Sequence, residues 1–94
     1  MRPSALLALL LVLLQPVTGR AGDALVAEGR DLYEWHCLAC HGETGEEGEA
    51  GDIRGLSASI VASALRGMEQ MPEFVLSERE VDAIIAYLAH LWER

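Results

Sequence analysis

The chain has 94 residues, a formal charge of −8 and no lysine. That length allows one small domain. The acidity argues against nucleic acid and anionic membrane surfaces as partners, since both repel a negative protein; it suits either a partner with a basic docking patch or the plain solubility of an exported chain.

In chain order, Met1-Arg2-Pro3-Ser4 is a short basic start, and Ala5 to Leu14 is an unbroken apolar run. Gln15 and Pro16 interrupt it and small residues follow, which is the layout of a secretory signal peptide over residues 1–21. The run falls short of the roughly 20 residues a membrane span needs, so an uncleaved anchor is the lesser reading. Cutting after Gly19 or after Ala21 would each leave a small residue at the cut. An exported chain over residues 22–94 is expected. Without Arg2 and Arg20 it holds five basic against fifteen acidic residues, a formal −10. At roughly 70 residues a core of side chains alone is marginal, and such chains need a staple.

Asp23 to His36 reads as a first helix, with Asp23 as its N-cap. Leu25, Leu32 and Tyr33 recur at helical spacing. Gly29 costs about 1 kcal/mol there relative to alanine, so another backbone is expected to pass close to it.

Next comes Cys37-Leu38-Ala39-Cys40-His41. C-x-x-C-H is the attachment signature of a c-type heme. One helical turn separates the thiols, so both could reach one edge of a porphyrin, with His41 beneath the iron. C-x-x-C alone also suits a disulfide, a thioredoxin-like redox pair or half of a zinc site. The redox pair wants a βαβ setting, and no strand pattern is present. Zinc wants four ligands from a chain with two Cys and three His.

Glu43 to Asp52 is rich in Glu and Gly and reads as an exposed, mobile loop. Ser57 or Ser59 is expected to cap a second helix whose buried side is Ile60, Val61, Ala64 and Leu65, ended by Gly67 at C′. The last helix is expected over Glu78 to Trp92. Ser77 and Glu80 form its capping box, and Leu76 with Val81 the hydrophobic staple. The domain is therefore all-α. Met71, followed by Pro72, could supply a thioether to the far face of a heme iron, although a lone Met is more often core filler.

These pieces together resemble the class I c-type cytochromes in their small bacterial single-heme form. The residues that carry the resemblance are Gly29-Arg30-Asp31-Leu32-Tyr33, the heme motif with Gly42, Ile53-Arg54-Gly55-Leu56, Met71-Pro72 and Ala86-Tyr87-Leu88. It covers about Ala24 to Trp92. It implies three main helices around one covalent heme c, tethered by Cys37 and Cys40, with His41 and Met71 as axial iron ligands. It implies that Met71 rather than Met68 is the ligand, and that Gly29 and Tyr33 meet the last helix near Tyr87. Relatives carry a Pro whose carbonyl takes the proton of the proximal His. Gly51 stands at that position here, and its carbonyl could still accept. The function implied is one-electron transfer between exported redox partners, without catalysis. The alternative is a cytochrome subunit of an exported dehydrogenase complex. Arg54 and Arg66 are candidate partners of the heme propionates. Trp35 and Trp92 are expected in helix packing rather than lining the heme pocket, and His36 and His90 at the surface.

Overall fold

The computed structural model describes residues 20–93. Most of the expected signal peptide, residues 1–19, lies outside the described residues. Four helices follow in order: α1 Arg20–His36, α2 Leu38–His41, α3 Ala58–Leu65 and α4 Glu78–Trp92. The described residues hold no strand beyond one isolated bridge pair, so the fold is all-α.

α1 begins three residues before the expected start. Asp23 is therefore not its N-cap but sits within the first turn. Its carboxylate there complements the positive end of the helix dipole. At the other end, α1 runs to His36 as its periodicity requires.

The largest helix contact is between α1 and α4. Gly29 is buried at this crossing, and an added Cβ would land on the Ala83 carbonyl and against the Tyr87 Cβ. The costly glycine is thus the condition for two backbones to approach. One turn on, Tyr33 is fully buried. Its ring lies 5.4 Å from that of Tyr87, tilted by 55°, a pairing worth about 0.5–1.5 kcal/mol beyond area burial. Ile84, Leu88 and Leu91 of α4 complete this side of the core. At the rim, Arg79 reaches Glu28 at 2.9 Å. The pair is largely exposed and contributes at most about 1 kcal/mol.

α3 is capped by Ser57, whose Oγ accepts from the Ile60 N–H at 3.4 Å. Val61 and Leu65 are buried, but Ile60 is 48% exposed and Ala64 only half-buried. The expected four-residue face is thus an i, i+4 stripe of two, because so short a helix meets the core along one row and Ile60 lies about 100° from it. Gly67 takes the C′ role with φ +106 and donates to the Ala64 carbonyl at 3.0 Å.

α4 starts as its signals require. Ser77 Oγ accepts from the Glu80 N–H at 3.1 Å, and the Glu80 carboxylate accepts from the Ser77 N–H at 2.9 Å. These bonds hold the Glu80 carboxyl below its ordinary range. Leu76 and Val81 both pack against the core cluster. No helix among the described residues is long and apolar enough to cross a membrane.

Candidate cofactor site

Cys37 is the joint between α1 and α2. Its N–H still donates to the Tyr33 carbonyl at 2.8 Å, as a helix would, and its own carbonyl accepts from His41 at 2.9 Å and Cys40 at 3.2 Å. The motif is therefore one further turn, joined to α1 through Cys37 at φ −116. Neither cysteine is in a disulfide. Cys37 is 5% exposed, whereas Cys40 faces solvent. Burial, and then the neighbouring Cys40, push the Cys37 thiol up to about 11, so it is protonated at neutral pH.

His41 is half-buried, and burial lowers its pKa. A neutral imidazole keeps one lone pair free for a metal while its other nitrogen carries the proton. Nδ1 of His41 is buried and has no hydrogen-bond partner among the described residues. The expected bond to the Gly51 carbonyl is therefore not made. The reason lies in the backbone. Gly51 has φ +73, a conformation proline cannot adopt, and the chain turns there through a bond from its N–H to Gly48.

Two other bonds hold the turn. Tyr33 Oη donates to the Gly42 carbonyl at 2.6 Å, and the Glu47 N–H donates to the His41 carbonyl at 3.1 Å. Desolvation raises the Tyr33 phenol to about 12, helped by the nearby Cys37, Tyr87 and Glu47. The buried phenol is thus held in its neutral, donating form. The loop Glu43 to Asp52 is anchored more than its composition suggests: the Ile53 N–H returns to the Gly45 carbonyl at 2.9 Å. Its acidic side chains remain exposed.

Met71 arrives from the loop between α3 and α4. It is half-buried and packs against the cluster that contains Cys37. The loop is closed by the Phe74 N–H donating to the Leu65 carbonyl at 2.8 Å. Phe74 in turn sets its ring edge-on to His36, 5.3 Å between centroids. This contact joins the Met71 arm to the residue just before Cys37. His36 is thus half-buried and a clasp, a role its sequence position did not signal.

Other expectations are corrected. The Arg54 guanidinium is engaged by Asp52 at 2.8 Å and Glu46 at 3.3 Å and lies over the Trp92 ring. It is an internal tie and not a free propionate partner. Its bonds pull the Asp52 carboxyl down to about 2. Trp92 is mostly exposed beneath Arg54, and Trp35 is 85% exposed, so Trp35 does not pack helices. His90 is exposed, as expected. Arg66 is exposed beside a surface concavity of about 570 Å³ between α3 and α4. A second concavity, of about 630 Å³, borders α1 near Arg30. Neither is lined by Cys37 or Met71.

The donor set fits a c-type heme. Two unpaired thiols stand one turn apart, a neutral imidazole follows directly, and a thioether packs into the same apolar cluster. Residues 24–88 match the family described as cytochrome c oxidase, cbb3-type, subunit III. No curated protein and no solved structure matches the chain significantly. The match spans more than half of the sequence, so the chain belongs to that family of c-type cytochrome domains and is a class I c-type cytochrome, a heme c protein of electron transfer.

Proposed function

We propose that the chain is a single-heme carrier passing one electron at a time between exported redox partners. Cys37 and Cys40 would hold the heme by thioether bonds, and His41 and Met71 would ligate its iron. The observation that carries this reading is the convergence of the motif turn and the Met71 loop on one apolar cluster, clasped by His36 and Phe74. When bound, heme c supplies an iron that alternates between ferrous and ferric states.

The protein's own residues do the rest. Tyr33 and Glu47 fix the Gly42 and His41 carbonyls, so the backbone that carries the His41 ring moves little as charge changes. The apolar cluster shields one side of Met71 from water, and a thioether favours the reduced ion. Since Nδ1 of His41 gives its proton to no acceptor, the imidazole lacks the push that a bonded carbonyl provides. No acid–base pair is set up at the site for substrate chemistry.

The acidic surface supports partners with a basic docking patch, reached faster at low salt. Export agrees with the signal-peptide pattern and with the usual location of this family. The test is the absorption spectrum of the exported protein. A low-spin ferric form with the weak long-wavelength sulfur-to-iron band is expected. A high-spin form, or ready binding of carbon monoxide when reduced, would contradict ligation by methionine and leave an open site for a gas or peroxide.

A second reading makes the chain a permanent subunit of an exported oxidoreductase, such as a dehydrogenase. Two observations favour it: the family description names a subunit, and Trp35 and Val75 are 85% and 98% exposed. Gel filtration of natively purified material separates the readings. A species at monomer mass supports the carrier, and a persistent large complex supports the subunit.

A further inference from the structure

The loop between α3 and α4 carries two thioethers, and the proposed function uses one. Met68 and Met71 exchange both backbone hydrogen bonds. The Met68 N–H donates to the Met71 carbonyl at 3.0 Å, and the Met71 N–H donates to the Met68 carbonyl at 2.8 Å. They form an isolated antiparallel bridge. Residues that exchange both bonds stand directly opposite each other, with Cα atoms about 5.5 Å apart. Opposed side chains leave the ribbon on the same face, with Cβ atoms about 4.5–5.5 Å apart. The two thioether side chains therefore leave one tight turn from the same face.

Packing and backbone treat the pair differently. Met71 is held against the core and followed by Pro72, which stiffens its flank. Met68 is 48% exposed and is not locked by the cluster. It follows Gly67, at φ +106, which gives its flank the most permissive backbone in the loop. Between them Glu69 has φ +52, a region that side chains disfavour. Such strain persists where the surroundings impose it, and it lowers the cost of leaving that geometry. A core-filling role suits Met68 poorly, since half of it fills nothing. A long, unbranched thioether with three rotatable bonds suits reach.

The geometry points to Met68 as a reserve axial ligand, which gives its sulfur to the iron when Met71 does not. The inference rests on the reading of Met71 as the ligand and extends it to a second donor on the same turn. It makes loss of Met71 alone insufficient to open the iron.

The test uses the exported heme protein and four forms of it: wild type, Met71→Leu, Met68→Leu and the double variant. Leucine keeps the apolar volume, so the core is not emptied. Met71→Ala serves as a second single variant if leucine fails to fold. The readouts are the ferric sulfur-to-iron band and carbon monoxide binding by the reduced protein. The chain's third methionine, Met1, lies in the signal peptide pattern, so the double variant reports whether any other sulfur ligates. Met71→Leu is expected to keep the band, shifted in wavelength, and to bind carbon monoxide more slowly than the double variant. The double variant is expected to lose the band and bind readily. A Met71→Leu protein as open as the double variant overturns the reserve role and leaves Met71 as sole ligand. A wild type without the band overturns both the reserve role and methionine ligation itself.

Discussion

The α1–α4 crossing and the Met71 loop both shape the same site, yet they are held by different physics. At the crossing, Gly29, Tyr33, Ala83, Ile84 and Tyr87 are buried and backbone meets backbone. In the loop from Gly67 to Val75 no residue is fully buried. Its shape comes from four backbone hydrogen bonds and one aromatic contact. Interdigitated cores are stiff, whereas segments with few buried contacts open at low cost. The side that presents Cys37, Cys40 and His41 is thus rigid, and the side that presents Met71 is adjustable. Electron transfer gains from the first by small rearrangement, and an exchangeable methionine ligand, as proposed above, would belong on the second.

The sharpest way to break this contrast is Gly29→Ala. On an open helix face alanine would stabilise by about 1 kcal/mol. Here its Cβ meets the Ala83 carbonyl, which cannot move aside. A net loss of about 2–3 kcal/mol in denaturant unfolding is expected, with overpacking as the cause. A gain would show that the helices do not cross so closely.

Tyr33→Phe comes next. It leaves the Gly42 carbonyl without its donor, which costs about 1–2 kcal/mol. It also changes the alkaline limb of stability. The Tyr33 pKa is raised from 10.0 to about 12 in the folded chain. Its contribution is therefore fully present below pH 10 and is lost as pH rises through 12, on the order of 2 kcal/mol in all. Unfolding measured from pH 8 upward should fall less steeply in the phenylalanine variant. Equal slopes would remove the buried-phenol account.

Ser77→Ala breaks the capping box at the edge between the two regions and should cost about 1 kcal/mol. The backbone N–H at position 77 still donates to the Glu80 carboxylate, so only the smaller, side-chain part of its lowered pKa is lost and the acid limb shifts slightly. With its pKa lowered when folded, Glu80 stabilises above its ordinary range, and this is lost as pH falls through the lowered value.

The smallest effect belongs to Glu69→Gly. Relief of the φ +52 residue should stabilise the loop by up to about 1 kcal/mol, offset by added unfolded-state entropy. Proteolysis or hydrogen exchange confined to the loop would report it. No local change would mean the turn is unstrained.

Legibility did not follow rigidity alone. The capping box at Ser77 and Glu80, the C′ glycine at Gly67 and the expensive Gly29 each carry a local signal, and each is found in its role. What escaped the sequence depends on chain path. Arg54 lies among its acids and Trp92 because the loop returns toward α4. The missing acceptor for Nδ1 of His41 follows from a positive φ at Gly51, which the residue type permits without requiring. His36 carries no pattern that foretells Phe74, and the surface position of Ile60 follows from the shortness of α3. For the site, the motif named its thiols and imidazole, whereas the pairing of Met68 with Met71 needed the hairpin to be seen.

The most direct measurement is the intact mass of the exported protein, followed by mapping of its peptides. The account predicts a mass above the bare mature polypeptide by one heme, carried on the peptide that holds Cys37 and Cys40. A protein that weighs only its polypeptide, or one whose cysteines both alkylate freely after export, would contradict it.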